Sequence, residues 1–419
     1  MILLQLTWRS LWNRRASLVL TVFAIAISVA LLLGVDYLRK EARSSFLNTL
    51  SGTDLVVGAR SGPVQLLLYS VFRIGNATNN IHWDTYQHIA QHEWVDWTIP
   101  LSLGDSHKGF RVVGTNQDYF RHYRYGDKQA LAFAGGQPFA GVFDTVLGAD
   151  VAQKLGYTIG SQIILAHGGG STSFALHADK PFTVTGILKP TGTPVDRSVH
   201  VSLAGIEAIH LGWQAGAPIP GLSIDAERAV KMNLQPKVIT AFLVGMKKRV
   251  TVFRMQRDIN DYRQEALLAT VPGIALAELW QTLGQFENIL RIMTACVVVA
   301  GLLGLLTVLL ATLNERRREM AILRAVGAHP WQIALLFMLE AAVLALAGCL
   351  LGMLLVSVLV LFMQPWVAAE YGLHLHPWLP GTDDLLLLAT VLFLAILFSL
   401  LPGLLAWRRS LQDGLTVRL

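Results

Sequence analysis

The sequence predicts a membrane α-helical protein with four spans, arranged one plus three, and a large external mixed α/β domain. Three observations lead to this fold class. Of 419 residues, 53% are hydrophobic and 15% are charged, against roughly 25% charged in an ordinary soluble domain. Four uncharged stretches are long enough for a hydrocarbon core of ~30 Å. No such stretch occurs between Asp36 and Glu287, so one long block separates the first stretch from the other three. This composition excludes disordered, collagen-like and disulfide-rich chains.

Residues 1–15 form a cytoplasmic segment with Arg9, Arg14 and Arg15, and residues 16–35 are the first span. A cleaved leader also begins with positive charge. The apolar run here is longer than the usual 7–15 or so residues, and no convincing small-x-small site follows, so an uncleaved anchor is expected. Residues 36–287 are the external domain. The second span is 289–313, uncharged over 292–313, and a cytoplasmic stub covers 314–332. The third span is 333–363, uncharged from 341 onward. A short external loop, 364–384, precedes the fourth span at 385–405 and a cytoplasmic tail at 406–419. Orientation follows from the positive-inside rule. Arg316, Arg317, Arg318 and Arg324 mark the stub, and Arg408, Arg409 and Arg418 mark the tail. The 364–384 loop has no lysine or arginine but carries Glu370, Asp383 and Asp384. Both termini and the stub are therefore expected in the cytoplasm.

The only cysteines, Cys296 and Cys349, fall inside spans. The external domain must therefore rest on its core and not on disulfides. Short strands are expected at 183–188 and 199–202, with another at 238–244. Helices are expected at 84–92 and 147–155, and a longer one with alternating charges at 254–270. An apolar run covers 163–166. Glycine- or proline-rich breaks at 168–170, 190–194 and 216–221 suggest a porter-like part and a second subdomain. The segments 54–59 and 191–197 read as ordered loops without an evident role.

The search for chemistry is mostly negative. The sequence has no phosphate loop, no nucleophile elbow and no zinc-protease helix. No catalytic, cofactor-binding or metal residues are assigned, and no nucleic-acid partner is expected. Eleven of twelve histidines lie in external regions. His88 and His92, four apart beside Glu93, could share a helix face. His374 and His376 lie near Glu370. Two ligands alone are a weak signal for zinc, so both pairs read more simply as solvated surface.

Glu340 stands in an apolar setting, Phe337-Met338-Leu339-Glu340-Ala341. A carboxylate at membrane depth is expensive unless paired, protonated or near the interface. Either it is a coupling residue paired with an arginine of the stub, or the helix starts nearby and the side chain reaches headgroups. Ala26, Ala30 and Gly34 repeat every four residues in the first span, and Gly348 and Gly352 form G-x-x-x-G in the third. Such stripes permit close helix packing, within a chain or between chains, although small residues are common in membranes generally.

The stub carries the most information. It reads Asn314-Glu315-Arg316-Arg317-Arg318-Glu319-Met320-Ala321-Ile322-Leu323-Arg324-Ala325-Val326-Gly327-Ala328. Residues 315–326 are good helix formers and Gly327 is a natural stop. A short amphipathic helix of this kind can press into a partner's groove. A bare positive-inside signal would need charge alone, without an apolar face or a terminal glycine. The candidate contact residues are Glu315, Arg316, Arg318, Glu319, Leu323, Arg324 and Gly327, with Glu340 as intramembrane coupler.

These residues carry a family resemblance. The stub, followed by Ile333, Leu339-Glu340-Ala341, Gly348 and Gly352, resembles FtsX-like or MacB-like permeases of type VII ABC transporters. The closing Leu401-Pro402 and Trp407-Arg408-Arg409 are similar to that family's end, as is the one-plus-three layout. The resemblance implies an external region like the MacB periplasmic core domain. It also implies a non-catalytic subunit that works with a cytoplasmic ABC ATPase, the ATP and magnesium being bound in that partner chain. A second permease copy, membrane lipid and an external adaptor or substrate-binding protein would complete the set, in a bacterial inner membrane. Function would be mechanotransmission that drives export or extraction of a lipoprotein, lipid, peptide or drug. The alternative is a signalling module that activates an external enzyme such as a cell-wall hydrolase without transport. A motorless sensor or adhesin leaves the stub unexplained.

Overall fold

The computed structural model describes residues 15–168, 175–214, 217–218, 224–315, 320, 322, 326–371 and 376–409. The chain divides into two compact units. One comprises Met1–Glu41, Gly284–Trp366 and Leu375–Leu419, and the other Ala42–Leu283 with Val367–His374.

The helical unit is built on four long helices, Arg15–Asn48, Pro272–Glu315, Pro330–Tyr371 and Thr382–Arg409. Each contains a segment long and apolar enough to cross a membrane: Leu18–Ser44, Gly284–Ala311, Trp331–Val367 and Thr382–Leu405. The helices outrun the spans read from the sequence because their charged flanks are themselves good helix formers. Asp36 shows how. It pairs with Arg39 and Lys40, three and four residues on, each at 2.8 Å, the spacing that stacks side chains on one helix face. Lys40 also reaches Asp384 of the fourth helix at 3.4 Å, and Arg39 reaches Glu287 of the second at 3.4 Å. The first helix is 34 residues long, about 50 Å at 1.5 Å per residue.

The second unit is a mixed α/β domain around a twelve-stranded sheet. In chain order the strands are β1 (Leu55–Ala59), β2 (Val95–His107), β3 (Phe110–Thr115), β4 (Phe133–Gly136), β5 (Asp144–Leu147) and β6 (Gln162–Ile163). They continue with β7 (Ala166–His167), β8 (Ala175–Leu176), β9 (Phe182–Leu188), β10 (Ser198–Ser202), β11 (Ala241–Met246) and β12 (Leu267–Thr270). The spatial order is β12-β1-β11-β2-β3-β10-β5-β9-β4, with β6 on β9, and β7 between β2 and β8. β1 and β11 are buried at every position, as expected of strands covered on both faces. The long β2 unites the sheet. Its first half pairs with β11, Leu101 opposite Ala241, and its second half with β3, Leu103 opposite Val113. Lys108 and Gly109, both at positive φ (46° and 87°), make the tight turn between β2 and β3, the backbone a two-residue hairpin favours. In chain order the glycine- and proline-rich breaks fall between strands of this sheet.

Four short helices matter here: α1 (Trp83–Ala90), α2 (Ala149–Leu155), α3 (Leu203–His210) and α4 (Val252–Asn260). The expected helix over 254–270 is corrected. It begins at Val252, stops at Asn260, and is followed by strand β12. The Asn260 amide clips the two together: its Oδ1 accepts from the Ala269 N–H at 2.6 Å. Leu267 and Ala269 then point inward, 0% and 1% exposed, a period of two that the four-residue strand is too short to reveal in sequence. The 163–166 run is likewise split between β6 and β7.

His200 lies at the centre of the sheet, wholly buried on β10. Its ring stands 5.0 Å from Tyr119 and 6.0 Å from Phe120. Burial, reinforced by the charge of Arg73, pushes the imidazole down to about 3. Below about pH 6.5 the unfolded chain takes up a proton that the folded chain refuses. Stability present above that pH is therefore lost as pH falls toward about 3. Thermal unfolding of wild type should weaken steadily on acidification through this window, and His200→Phe should flatten the slope. Equal slopes for the two proteins would refute this role for His200.

Candidate functional site

The first and third long helices meet along a seam of small residues. A Cβ built on Gly348 would lie 2.6 Å from Cγ2 of Ile25, and one on Gly352 2.8 Å from Cγ1 of Val29 and 2.9 Å from the Ala26 carbonyl oxygen. Ala26 is 0% exposed and Ala30 half-buried. These contacts are made within one chain. Gly34 does not share them within the chain, for a Cβ there meets nothing within 4 Å. Ser28, buried on the first helix, donates from Oγ to the Ala24 carbonyl at 2.9 Å and to the Val297 carbonyl of the second helix at 3.3 Å.

Glu340 is 1% exposed and engages a polar or electrostatic partner. The third helix begins at Pro330, ten residues earlier, so Glu340 is not a helix-start residue. On the stub, Arg316, Arg318, Glu319, Leu323 and Arg324 lie outside the described residues, as does the side chain of Glu315, whose backbone closes the second helix. What is described has a definite character. Met320 is buried, while Ile322 and Val326 are 63% and 84% exposed. The Val326 N–H donates to the Ile322 carbonyl at 3.1 Å, a helical bond, and Gly327 follows at φ +102°. A residue with a side chain would be strained there, which is why glycine ends the turn.

In the α/β unit, four side chains that the sequence did not single out converge. Asp105 comes from β2, His167 from β7, His177 from just beyond β8, and His210 from the last residue of α3. Antiparallel pairing of β7 with β2 sets His167 directly opposite Asp105. His167 Nδ1 lies 3.2 Å from Asp105 Oδ1, and His210 Nε2 lies 3.3 Å from His167 Nδ1 and 3.6 Å from Asp105 Oδ1. Each of the four offers one ligand atom, all within 4.8 Å of one another. Asp105 is 4% exposed and His177 0%. Burial works to raise the Asp105 carboxyl, but the His167 and His210 contacts outweigh it and hold the group at about 2. Burial, with the charge of His210 beside it, pushes His177 down to about 4. For His210, burial acts downward but the Asp105 hydrogen bond prevails and raises it. Gly104 and Gly168, next in sequence to Asp105 and His167, line a cavity of about 240 Å³ with Arg73, Asn80 and Arg111.

The two histidine pairs weighed from the sequence behave differently. Helix α1 ends at Ala90, so His92 is off the helix that was expected to align it with His88. His88 faces Tyr262 at 5.8 Å and His92 faces Trp94 at 4.8 Å. His374 lies outside the described residues. His376 pairs with Glu41 at 2.5 Å. The convergent set escapes motif reading because its members are far apart in the chain.

The two unassigned loops have structural work. Residues 55–59 are strand β1. In 191–197, the Asp196 carboxylate, buried, accepts from the Thr191 N–H at 2.8 Å, Thr191 Oγ1 at 2.8 Å and the Gly192 N–H at 2.7 Å.

Comparison with known proteins adds the following. Residues 18–260 match the MacB-like periplasmic core domain, and residues 291–414 the FtsX-like permease C-terminal region. A stretch of 116 residues is 30% identical to the macrolide export ATP-binding/permease protein MacB of Campylobacter jejuni, covering 27% of this chain and 17% of that one. The pyoverdine export ATP-binding/permease protein PvdT of Pseudomonas entomophila is 21% identical over 84% of this chain and 51% of its own length. The lipoprotein-releasing system transmembrane protein LolC of Neisseria meningitidis is 23% identical over 76% of this chain and 79% of its own. The chain thus spans about half or less of the two ATP-binding/permease relatives it matches. Among solved structures, the periplasmic region of MacB from Actinobacillus actinomycetemcomitans aligns with 55% of this chain and 94% of its own at TM-score 0.34 and 8% identity. The extracellular domain of YknZ, from Gram-positive bacteria, aligns with 52% of this chain and 99% of its own at TM-score 0.31 and 14% identity.

Proposed function

This chain belongs to the family that joins a MacB-like periplasmic core domain to an FtsX-like permease C-terminal region, and from that premise we propose that it is the mechanotransmitting membrane subunit of an ABC transporter. A separate cytoplasmic ATPase binds ATP and magnesium and grips the stub between the second and third helices. The resulting movement of the helices reshapes the external α/β domain, which exports or extracts its substrate. The chain itself is non-catalytic and pairs with a second permease copy. The alternation of arginine-rich and arginine-free segments supports a bacterial inner-membrane location with both termini in the cytoplasm.

One observation carries the reading: a helical turn closed by Gly327 presents Ile322 and Val326 to solvent between two membrane spans. Exposed apolar side chains on a charged cytoplasmic stub suit a partner's groove better than they suit water. Glu340, buried in the helix that follows, is the residue we assign to coupling. The LolC relative, matched along most of its own length, favours a lipid-bearing substrate over a soluble one.

The test is purification of the tagged full chain from its own membranes, with mass spectrometry of co-purifying proteins and ATPase assays in lipid nanodiscs. A nucleotide hydrolase stimulated by the chain is expected, together with an external adaptor or lipoprotein. A cell-wall hydrolase in place of the adaptor would turn the reading toward signalling. Recovery of no nucleotide hydrolase would sink it.

Orientation has its own check. In a background with Cys296 and Cys349 replaced by serine, Lys248→Cys should react with a membrane-impermeant maleimide in spheroplasts. Val326→Cys should react only after the membrane is opened. The reverse pattern would invert the topology and remove the ATPase contact.

A further inference from the structure

We propose that Asp105, His167, His177 and His210 form a binding site for a divalent transition-metal ion of the zinc type. A tetrahedral ion with bonds of ~2.0–2.1 Å to nitrogen and oxygen holds its ligands ~3.3–3.4 Å apart. The three edges defined by Asp105 Oδ1, His167 Nδ1 and His210 Nε2 measure 3.2, 3.3 and 3.6 Å. The fourth ligand atom, on His177, falls within 4.8 Å of the others.

Proton accounting points the same way. His210 Nδ1 sits 2.8 Å from the Ile206 carbonyl oxygen. Its N–H donates there, so in the neutral ring Nε2 is a bare lone pair aimed at the cluster. His167 Nδ1 faces both that lone pair and the Asp105 carboxylate and has one proton for the two of them. A cation accepts electron density from all three at once. The Ile206 contact is the kind of outer hydrogen bond that orients a metal-bound imidazole. His177 supplies the independent observation. It is 0% exposed, and among the described residues neither ring nitrogen has a hydrogen-bond partner. Its ring is held against Trp213 at 4.2 Å. A buried imidazole with two unmet nitrogens beside two other imidazoles and a carboxylate is placed to act as a metal ligand.

The donor set selects the metal class. Three imidazoles and one carboxylate, without thiolate, suit Zn²⁺ and its neighbours and fit poorly with Ca²⁺ or Mg²⁺, which take oxygen ligands. The four donors come from one strand of the main sheet, both sides of the β7–β8 arm, and the end of α3. A bound ion therefore fastens that arm to the sheet and to the helix. This proposal is independent of the ATPase reading, since the metal content of the chain can be measured without a motor.

The experiment uses the full chain in nanodiscs, stripped with chelator and titrated with Zn²⁺ by calorimetry, with Co²⁺ as a spectroscopic probe. One equivalent of Zn²⁺ is expected, with the strong visible bands of tetrahedral Co²⁺ and a thermal midpoint raised by the metal. His177→Gln and Asp105→Ala should weaken binding by about 100-fold or more, since changes to mere supporting residues already reach that scale. His88→Ala and His92→Ala should bind as wild type does. Should the ligand variants misfold, X-ray absorption of the loaded wild type, showing three imidazoles and one oxygen, decides the matter. A folded wild-type chain that takes up no stoichiometric Zn²⁺, Co²⁺, Ni²⁺ or Cu²⁺, or ligand variants that bind as tightly as wild type, would overturn the proposal.

Discussion

Gly327→Pro is expected to abolish stimulation of the partner ATPase while leaving the chain inserted in the membrane. The backbone at this position has φ +102°, whereas proline is locked near −65°. The turn that ends the stub must therefore open, and the apolar pair Ile322 and Val326 loses its place. Gly327→Ala strains the same position by about 1–2 kcal/mol and should show partial loss. Ile322→Asp, Val326→Asp and Leu323→Asp leave the backbone alone and attack the contact itself. If these side chains are anchors of the interface, each should weaken ATPase binding by about tenfold or more. Co-purification and ATPase turnover, measured side by side in nanodiscs, separate loss of docking from loss of coupling. Normal binding and turnover in Gly327→Pro and Val326→Asp would remove the stub from the mechanism. The external domain, lying outside the altered segment, should keep its thermal transition in every case.

The second large effect is expected from the helical seam. Gly352→Leu places a branched side chain where a single Cβ already sits 2.9 Å from the Ala26 carbonyl oxygen and 2.8 Å from Val29. Val29 has limited freedom to yield, because a β-branched side chain in a helix has one strongly preferred rotamer, and the Ala26 backbone cannot yield without bending its helix. Overpacking of this kind costs about 1–3 kcal/mol for a well-packed core, and contact with backbone puts Gly352→Leu at or beyond the upper end. Poor recovery of folded chain in detergent and a lowered thermal midpoint are the expected outcomes. Gly34→Leu is the internal control: it shares the small-residue spacing in sequence but has open space in the structure, so it should be tolerated. Equal damage from both would mean that helix composition, and not this seam, sets stability.

The fold class was legible because lipid demands long uncharged runs, and such runs survive any detail of packing. Of the stub, the stop was legible: Gly327 stands at positive φ just after Val326, as a terminal glycine predicts, while most of 315–326 lies outside the described residues. Where the sequence misled, the cause was a competing local signal. Asp258, Asp261, Arg263 and Glu265 look like the charges of one long helix, but Leu267 and Ala269 are claimed by the edge of the sheet beside β1. His88 and His92 have helical spacing on a helix that ends between them. The Asp105 cluster was invisible for a different reason. Its proximity is created by pairing β7 with β2 and by the placement of α3, and no local pattern encodes either.

The glycine seam has one more consequence. Backbone-to-side-chain contact at Gly348 and Gly352 leaves almost no slack between the first and third helices. The segments of those two helices that could cross a membrane are each 39% buried, against 28% and 22% for the second and fourth. Within the helical unit, helices one and three therefore form a keel. On the proposed function, a push on the stub would move this keel, with Glu340 in it, as one body against the second and fourth helices.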